Sequence, residues 1–278
     1  MTTIRLGVVE SLDYLPIIEA LGSDEDRFGV ELVKGKSLEL HRKFFAGELD
    51  IAPLPSIEYA RHYQKCVILP DLSISADGPA SHILLLSKVP VHQLVGKTIC
   101  VPVSAVTSVV LLKILIDHYF EMSVNYITGS GSLAEMLKEA DAVLLFGPRA
   151  MVGQKEMPGL HVLDLAATWK EFTTEPMVYA LWVARREFAL QYPVQVDFIS
   201  KALLACKNLA VINMPRLMEK ARNRYQLEPE AVERYYGGLK LEFDQAYRKA
   251  LLRYYAHAQI CGLIPPKVTL KVWGEDPL

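Results

Sequence analysis

Residues 49–88, LDIAPLPSIEYARHYQKCVILPDLSISADGPASHILLLSK, decide how the rest of this chain is read. The apolar run at 50–54 reads as a short buried strand, and Pro55-Ser56 ends it and opens a helix with Ser56 as its cap. A second strand follows, then a loop at 73–78 rich in small polar residues, and the stretch closes on the apolar run 83–86. Where a helix starts at a strand end, its first N–H groups point outward without partners, so an anion fits there.

The same alternation extends in both directions. Upstream, a strand at 4–9 ends in Glu10-Ser11-Leu12-Asp13-Tyr14-Leu15-Pro16 before a helix begins at 17–21. A polar turn at the carboxyl end of a first strand is where open α/β sheets hold ligands. A strand at 30–33 and a helix at 37–46, capped by Ser37 and stopped by Gly47, complete this part. Downstream, strands are expected at 98–101, 125–128, 142–146 and 177–183, with an extended segment at 161–165. Helices are expected from Thr107 or Ser108, at 132–139 and at 167–172, with a turn at Gly147-Pro148-Arg149. From Arg186 onward the pattern is helical, over 199–210, 215–225, 229–236 and 241–261.

Strands alternating with helices imply sheets covered on both faces. The expected architecture is α/β, of the type II periplasmic-binding-protein kind: two lobes around a ligand cleft, joined by hinge strands near 84–88 and 179–184. Lobe one takes residues 1–86 and 184–278, with the C-terminal helices folded back on it, and lobe two takes 87–183. Ligands in such a cleft sit between helix N-termini from both lobes, and closure about the hinge excludes water.

Composition narrows the partners. Of 278 residues 51% are hydrophobic, and 30 basic against 32 acidic residues leave a net charge of −2, without the basic excess of a nucleic-acid reader. MTTIRLGVVE enters a strand pattern directly rather than a charged leader, and no apolar run is long enough to span a bilayer, so a cytoplasmic, membrane-free protein is expected. Cys66, Cys100, Cys206 and Cys261 are widely spaced and read as buried thiols, with neither metal nor disulfides expected. Oligomeric state is left open.

Several motifs carry a family resemblance: DIAPLPSIEYAR at 50–61, ILPDLSISADGP at 68–79, SKVPVHQLVGKTI at 87–99, TSVVLLKIL at 107–115 and YALWVARRE at 179–187. Tyr235, Gly238-Leu239, Phe243 and Gly262-Leu263 extend it toward the C-terminus. On these residues the chain resembles the menaquinone-biosynthesis enzymes of the futalosine route, and among them the chorismate dehydratases, over nearly its whole length. The cysteine- and asparagine-containing N-terminal motif of the sister enzymes acting on cyclic de-hypoxanthine futalosine is not seen. The resemblance implies a hydro-lyase that removes water from chorismate to give 3-[(1-carboxyvinyl)oxy]benzoate. Its site must hold a dicarboxylate in a dry cleft, help remove a ring proton and assist the departing hydroxyl, and it needs no metal or organic cofactor.

The chain departs from that family pattern where ligands are touched. The family's Tyr-Leu-Asn-x-x-Pro-Leu appears as residues 11–17, SLDYLPI, which puts Asp13 on the asparagine position. His82 stands where a serine usually precedes the apolar hinge run. Asp13 and His82 are therefore the candidate acid/base pair, against the plainer readings of a helix-capping aspartate and a structural histidine. The usual Gly-Asp-x-Ala-Leu appears as Gly147-Pro148-Arg149-Ala150-Met151, and Thr-Gly-x-Pro-Phe as Thr173-Thr174-Glu175-Pro176-Met177. Arg149 is either a bidentate carboxylate clamp or an exposed loop arginine. Ser56 and Ile57 on one lobe, and Thr107 and Ser108 on the other, offer hydroxyls and free N–H groups suited to carboxylates, or serve as ordinary helix caps. Tyr14 covers an aromatic product or packs in the core, and Trp182 is read as core. Two further functions fit the same sequence: an enzyme of this fold for another chorismate-like or aromatic carboxylate, and a non-catalytic small-carboxylate binding protein.

Overall fold

In the computed structural model, which describes residues 3–22 and 29–275, β1 (Ile4–Val9) runs into a 3₁₀ turn at Leu12–Tyr14 and then α1 (Leu15–Leu21). Next come β2 (Val30–Gly35), α2 (Ser37–Phe45), β3 (Ile51–Pro55), α3 (Ser56–His62) and β4 (Cys66–Ala76). The middle of the chain forms β5 (Ile83–Ser87), β6 (Thr98–Val101), α4 (Val106–Ile114), β7 (Asn125–Thr128) and α5 (Leu133–Glu139). It continues with β8 (Ala142–Phe146), α6 (Pro148–Glu156), β9 (His161–Asp164), α7 (Leu165–Thr173) and β10 (Met177–Arg185). The C-terminal part holds α8 (Arg186–Gln191), α9 (Pro193–Ile212), α10 (Met214–Tyr225), α11 (Pro229–Gly238), β11 (Leu239–Lys240) and α12 (Gln245–Ile260).

The described strands form two sheets, ordered β11-β4-β10-β3-β1-β2 and β7-β6-β8-β5-β9. In each, parallel strands linked through helices adjoin antiparallel strands: β1 is parallel to β2 and β3, while β10 runs antiparallel between β3 and β4. In the second sheet β6 is parallel to β7 and β8, and β5 is antiparallel to β8 and β9. The inner strand β5, between β8 and β9, is buried on both faces. Ile83 and Leu85 join the main core, whereas Leu84 and Leu86 join a smaller cluster with Leu133, Leu137, Val143 and Leu145, as the two-residue period of a strand requires.

β5 lies wholly in the second sheet and β10 wholly in the first, so the chain changes sheets in residues 77–82 and again between α7 and β10, a few residues ahead of the two expected hinge strands. α12 is the brace between the lobes. It packs on β10 and on α4, with the Tyr255 hydroxyl donating to the Ser56 carbonyl (2.6 Å) and the Tyr254 hydroxyl to the Thr107 carbonyl (3.0 Å).

Four local expectations are corrected. Ser37 and Ser56 are the first residues of their helices rather than caps; Lys36 and Pro55 hold the cap positions, and the buried Ser56 hydroxyl donates instead to Val178 O across the sheet (2.7 Å). The expected loop at 73–78 is strand as far as Ala76. Ser73 and Ser75 lie on one face with hydroxyls 2.6 Å apart, and Ser73 also donates to Glu242 O, so small polar residues are satisfied inside a sheet. The turn at 147–149 is the start of α6, with Gly147 at φ 62° supplying the left-handed entry and Pro148 in the first helical turn. α4 begins at Val106, ahead of Thr107 and Ser108. Among the described residues no helix is long and apolar enough to cross a membrane. The four cysteines are unpaired, three of them buried and Cys261 partly so.

Candidate functional site

The carboxyl ends of β1 and β3 face the start of α4 across a cleft of about 510 Å³, with β10 as its floor. Glu10, Ser11, Asp13 and Tyr14 line it from the first sheet, as do Lys36 and Ser37 at the start of α2. His82, Ser104, Thr107, Ser108 and Phe146 line it from the second, and Tyr179 and Ala180 from the floor. Ligands in open α/β sheets occupy this end of the strands because the chain parts there to opposite faces.

His82 stands at the end of the first sheet crossing, 3% exposed. Its backbone carbonyl accepts from Gly147 N–H (2.7 Å), which extends the β5–β8 ladder by one step and fixes the residue's place at the cleft. The ring nitrogen Nδ1 lies 2.7 Å from the Ala80 carbonyl. A carbonyl can only accept, so in the neutral ring Nδ1 carries the proton and Nε2 keeps its lone pair. Nε2 has no partner among the described residues and is left for the cleft.

Asp13 is held by hydroxyls alone. The Tyr235 hydroxyl donates to Oδ1 and the Ser11 hydroxyl to Oδ2 (3.4 Å), and among the described residues no cation lies within ion-pair distance of it. Tyr235 is fully buried on α11. Burial first, and then the Asp13 charge and the hydrogen bond to it, hold its phenol well above the usual range, so it stays a donor. The Tyr235 ring also packs on His82, centroids 4.6 Å apart. Asp13 and His82 thus share one residue that touches both. Gly238, one turn further along α11, favours the approach: a Cβ there would lie 3.0 Å from Pro79 O and 3.2 Å from Ala80 Cα, so any larger residue would push the helix end and the crossing apart by a few tenths of an ångström.

Two helix N-termini open on the cleft from opposite sides. At α4 the N–H groups of Val106, Thr107 and Ser108 precede the first intrahelical bond, Val109 N–H to Ala105 O; at α2 those of Ser37 and Leu38 precede Leu40 N–H to Lys36 O. Lys36 adds the one lining cation among the described residues. On the floor, the buried Tyr179 hydroxyl has no hydrogen-bond partner among the described residues. Burial and then the Asp164 charge push that phenol well above its usual range.

Asp13, Tyr14, His82, Thr107 and Ser108, of the residues singled out from sequence, line the cleft. Tyr14 does so with its ring edge-on to the core residue Trp182, 6.2 Å between centroids. Ser56 and Ile57 lie behind the cleft, at the seam between lobes, where Ile57 N–H reaches Thr107 Oγ1 at 3.4 Å. Arg149 is exposed on the first turn of α6 and donates to Gly131 O, away from the lining residues. Sequence reasoning passed over Lys36 and Tyr179. Lys36 had a signal, since it follows a strand end. Among the described residues no group of three or more His, Cys, Asp or Glu is placed to hold a metal ion.

The family model described as menaquinone biosynthesis matches residues 4–259. A chorismate dehydratase of Thermus thermophilus is 25% identical over 250 residues, which cover 84% of this chain and 88% of that protein. The crystal structure of a protein from Archaeoglobus fulgidus superposes with a TM-score of 0.74 at 23% identity, covering 94% of this chain and 98% of that one. The alkanesulfonate-binding protein of Xanthomonas axonopodis pv. citri, solved with MOPS bound, gives 0.71 at 14% identity over 97% of both chains. At such identities these structures speak for the fold, that of the periplasmic binding proteins.

Proposed function

The chain belongs to the menaquinone-biosynthesis family, and from that premise we propose that it is a cytoplasmic, cofactor-free hydro-lyase of the chorismate dehydratase kind. It eliminates water from chorismate and yields 3-[(1-carboxyvinyl)oxy]benzoate in the futalosine route. The observation that carries this reading is the unpartnered Nε2 of His82 in a cleft that Asp13 also lines, with Tyr235 touching both and no cation on Asp13 among the described residues.

The two substrate carboxylates bind at the opposed helix N-termini, one at α4 and the other at α2 with Lys36, where free N–H groups and the positive helix ends favour anions. His82 Nε2 takes the ring proton. Breaking the ring C–O bond then releases the hydroxyl, which leaves as water with the proton that His82 returns, so the histidine ends neutral as it began. Between the two transfers an imidazolium exists. Asp13 balances that charge and the Tyr235 ring faces it, which lowers the barrier where charge develops. The Tyr179 hydroxyl donates to a substrate oxygen and finds there the partner it lacks in the protein.

The test is to mix purified protein with chorismate and follow the product by mass and absorbance. Absence of product overturns the reading, and turnover undiminished in both Asp13→Asn and His82→Ser would sink the acid/base pair alone. A second reading, an enzyme of this fold for another aromatic carboxylate, draws on those same two residues standing where the family places asparagine and serine. In that case 3-hydroxybenzoate or a related acid raises the melting temperature and chorismate is left unconverted.

A further inference from the structure

We propose that Asp164 is a positioning residue that sets the tautomer of His82 from the opposite side of the sheet crossing. The proposal rests on reading His82 as the base, and the tests below separate the two. The Asp164 carboxylate divides between two segments. Oδ2 accepts the N–H groups of Ala80 (3.0 Å) and Ser81 (2.7 Å) in the crossing, while Oδ1 accepts those of Ala166 (2.9 Å) and Ala167 (3.1 Å) at the start of α7. The last step before β5 is thereby tied to the second lobe.

That step needs a tie. Ser81 has φ 56°, a left-handed conformation that disfavours a non-glycine residue, so the surroundings must impose it. With two consecutive N–H groups drawn to one oxygen, the peptide planes on either side of Ala80 are fixed, and its carbonyl is presented to His82 Nδ1 at 2.7 Å. A fixed acceptor keeps the proton on the nitrogen that faces it, which leaves the Nε2 lone pair to the cleft. Asp164 touches no reacting atom in this scheme; it acts through Ala80.

An asparagine at 164 has one acceptor oxygen and one NH₂ donor, so it cannot serve both pairs of N–H groups. Because asparagine is a good helix cap, it keeps α7 and turns its donor on Ala80 and Ser81. Serine at 164 also caps a helix but is too short to span to the crossing. The experiment records ¹⁵N imidazole resonances of the full-length protein without substrate, at about pH 8 where free histidine is neutral. It compares wild type, Asp164→Asn and Asp164→Ser, with His82 assigned through His82→Gln, and then measures kcat and KM with chorismate.

We expect the wild type to show Nδ1–H alone and both variants to populate Nε2–H. In the variants kcat falls about tenfold to a hundredfold while KM stays within about twofold. Retention of Nδ1–H in both variants overturns the proposal, as does a loss of melting temperature with kcat unchanged. Wild-type turnover by His82→Ser removes the base assignment, and the resonances still decide whether Asp164 governs the tautomer.

Discussion

The two ends of the first sheet treat an aspartate in opposite ways. At the end away from the cleft, Asp50 is buried at the start of β3 and meets two guanidinium groups: Arg5 from β1 at 2.6 Å and Arg185 from β10 at 2.8 Å. It also accepts the Arg5 backbone N–H at 2.9 Å. Burial alone would raise its pKa, but the Arg5 and Arg185 hydrogen bonds more than offset that and hold it below the ordinary carboxylate range. At the cleft end, among the described residues, Asp13 has only hydroxyl partners, His82 Nε2 has none, and the Tyr179 hydroxyl is buried without a partner. One end pairs its aspartate with two guanidinium groups and ties three strands together; at the other, Glu10 pairs with Arg224 (3.5 Å), but Asp13 meets no cation among the described residues and the Tyr179 hydroxyl stays unpartnered. An unsatisfied buried group is expensive to keep, so the Tyr179 hydroxyl at the cleft marks where a ligand completes the structure.

The largest expected effect is a separation of activity from stability. His82→Ser should lower kcat by about a hundredfold or more, the usual contribution of a positioned acid/base group, with little change in melting temperature. Asp13→Asn should cost roughly tenfold, since the amide still accepts from Tyr235. The mirror-image result is expected from Asp50→Ala, which strands two arginines at the junction of β1, β3 and β10. Urea unfolding should show a loss of about 2–3 kcal/mol, at the low end for a broken buried pair because Arg5 is partly exposed. Chorismate turnover by the folded fraction should be unchanged. A large activity loss in Asp50→Ala at full stability would erase the distinction between the two ends.

A finer test uses Tyr179→Phe. Removing a buried hydroxyl without a partner should leave the ligand-free protein as stable as before, or more stable by about 1 kcal/mol. Affinity for an oxygenated aromatic acid should weaken roughly tenfold, the loss of about one hydrogen bond. Opposite signs in the two measurements are the signature of a group held open for a ligand. A drop in ligand-free stability would mean that the hydroxyl serves the fold.

Much of this contrast is written locally in the sequence, and part of it is not. The strand and helix alternation and the polar turn after β1 are short-range patterns, and Asp13 and His82 could be marked because each stands in a motif otherwise kept. Ser56 failed as a cap because its hydroxyl has a sheet carbonyl to bond 122 residues away, a choice that no local rule contains. The residues at 73–78 looked like a loop because Ser73 and Ser75 satisfy each other and a distant carbonyl. Tyr235 lies 222 residues from Asp13 in sequence, and only the packing of α11 through Gly238 on the crossing brings it between Asp13 and His82.

The smallest expected effect concerns Glu58, the second buried carboxylate besides Asp50 among the described residues, on α3. Burial would raise its pKa, yet hydrogen bonds from His41 and Arg61 lower it from 4.5 to about 2. A carboxyl whose folded pKa is depressed stabilises the fold fully above its unfolded value and loses that contribution as pH falls through the folded one. The melting-temperature advantage of wild type over Glu58→Gln should therefore be constant from about pH 7 to 5, shrink below about 4.5, and disappear near pH 2. Chorismate turnover by the variant near neutral pH should match wild type, because Glu58 does not line the cleft. A difference that stays constant into strong acid would show that Glu58 is not ionised in the folded protein, which would move it from the paired to the open class of carboxylates.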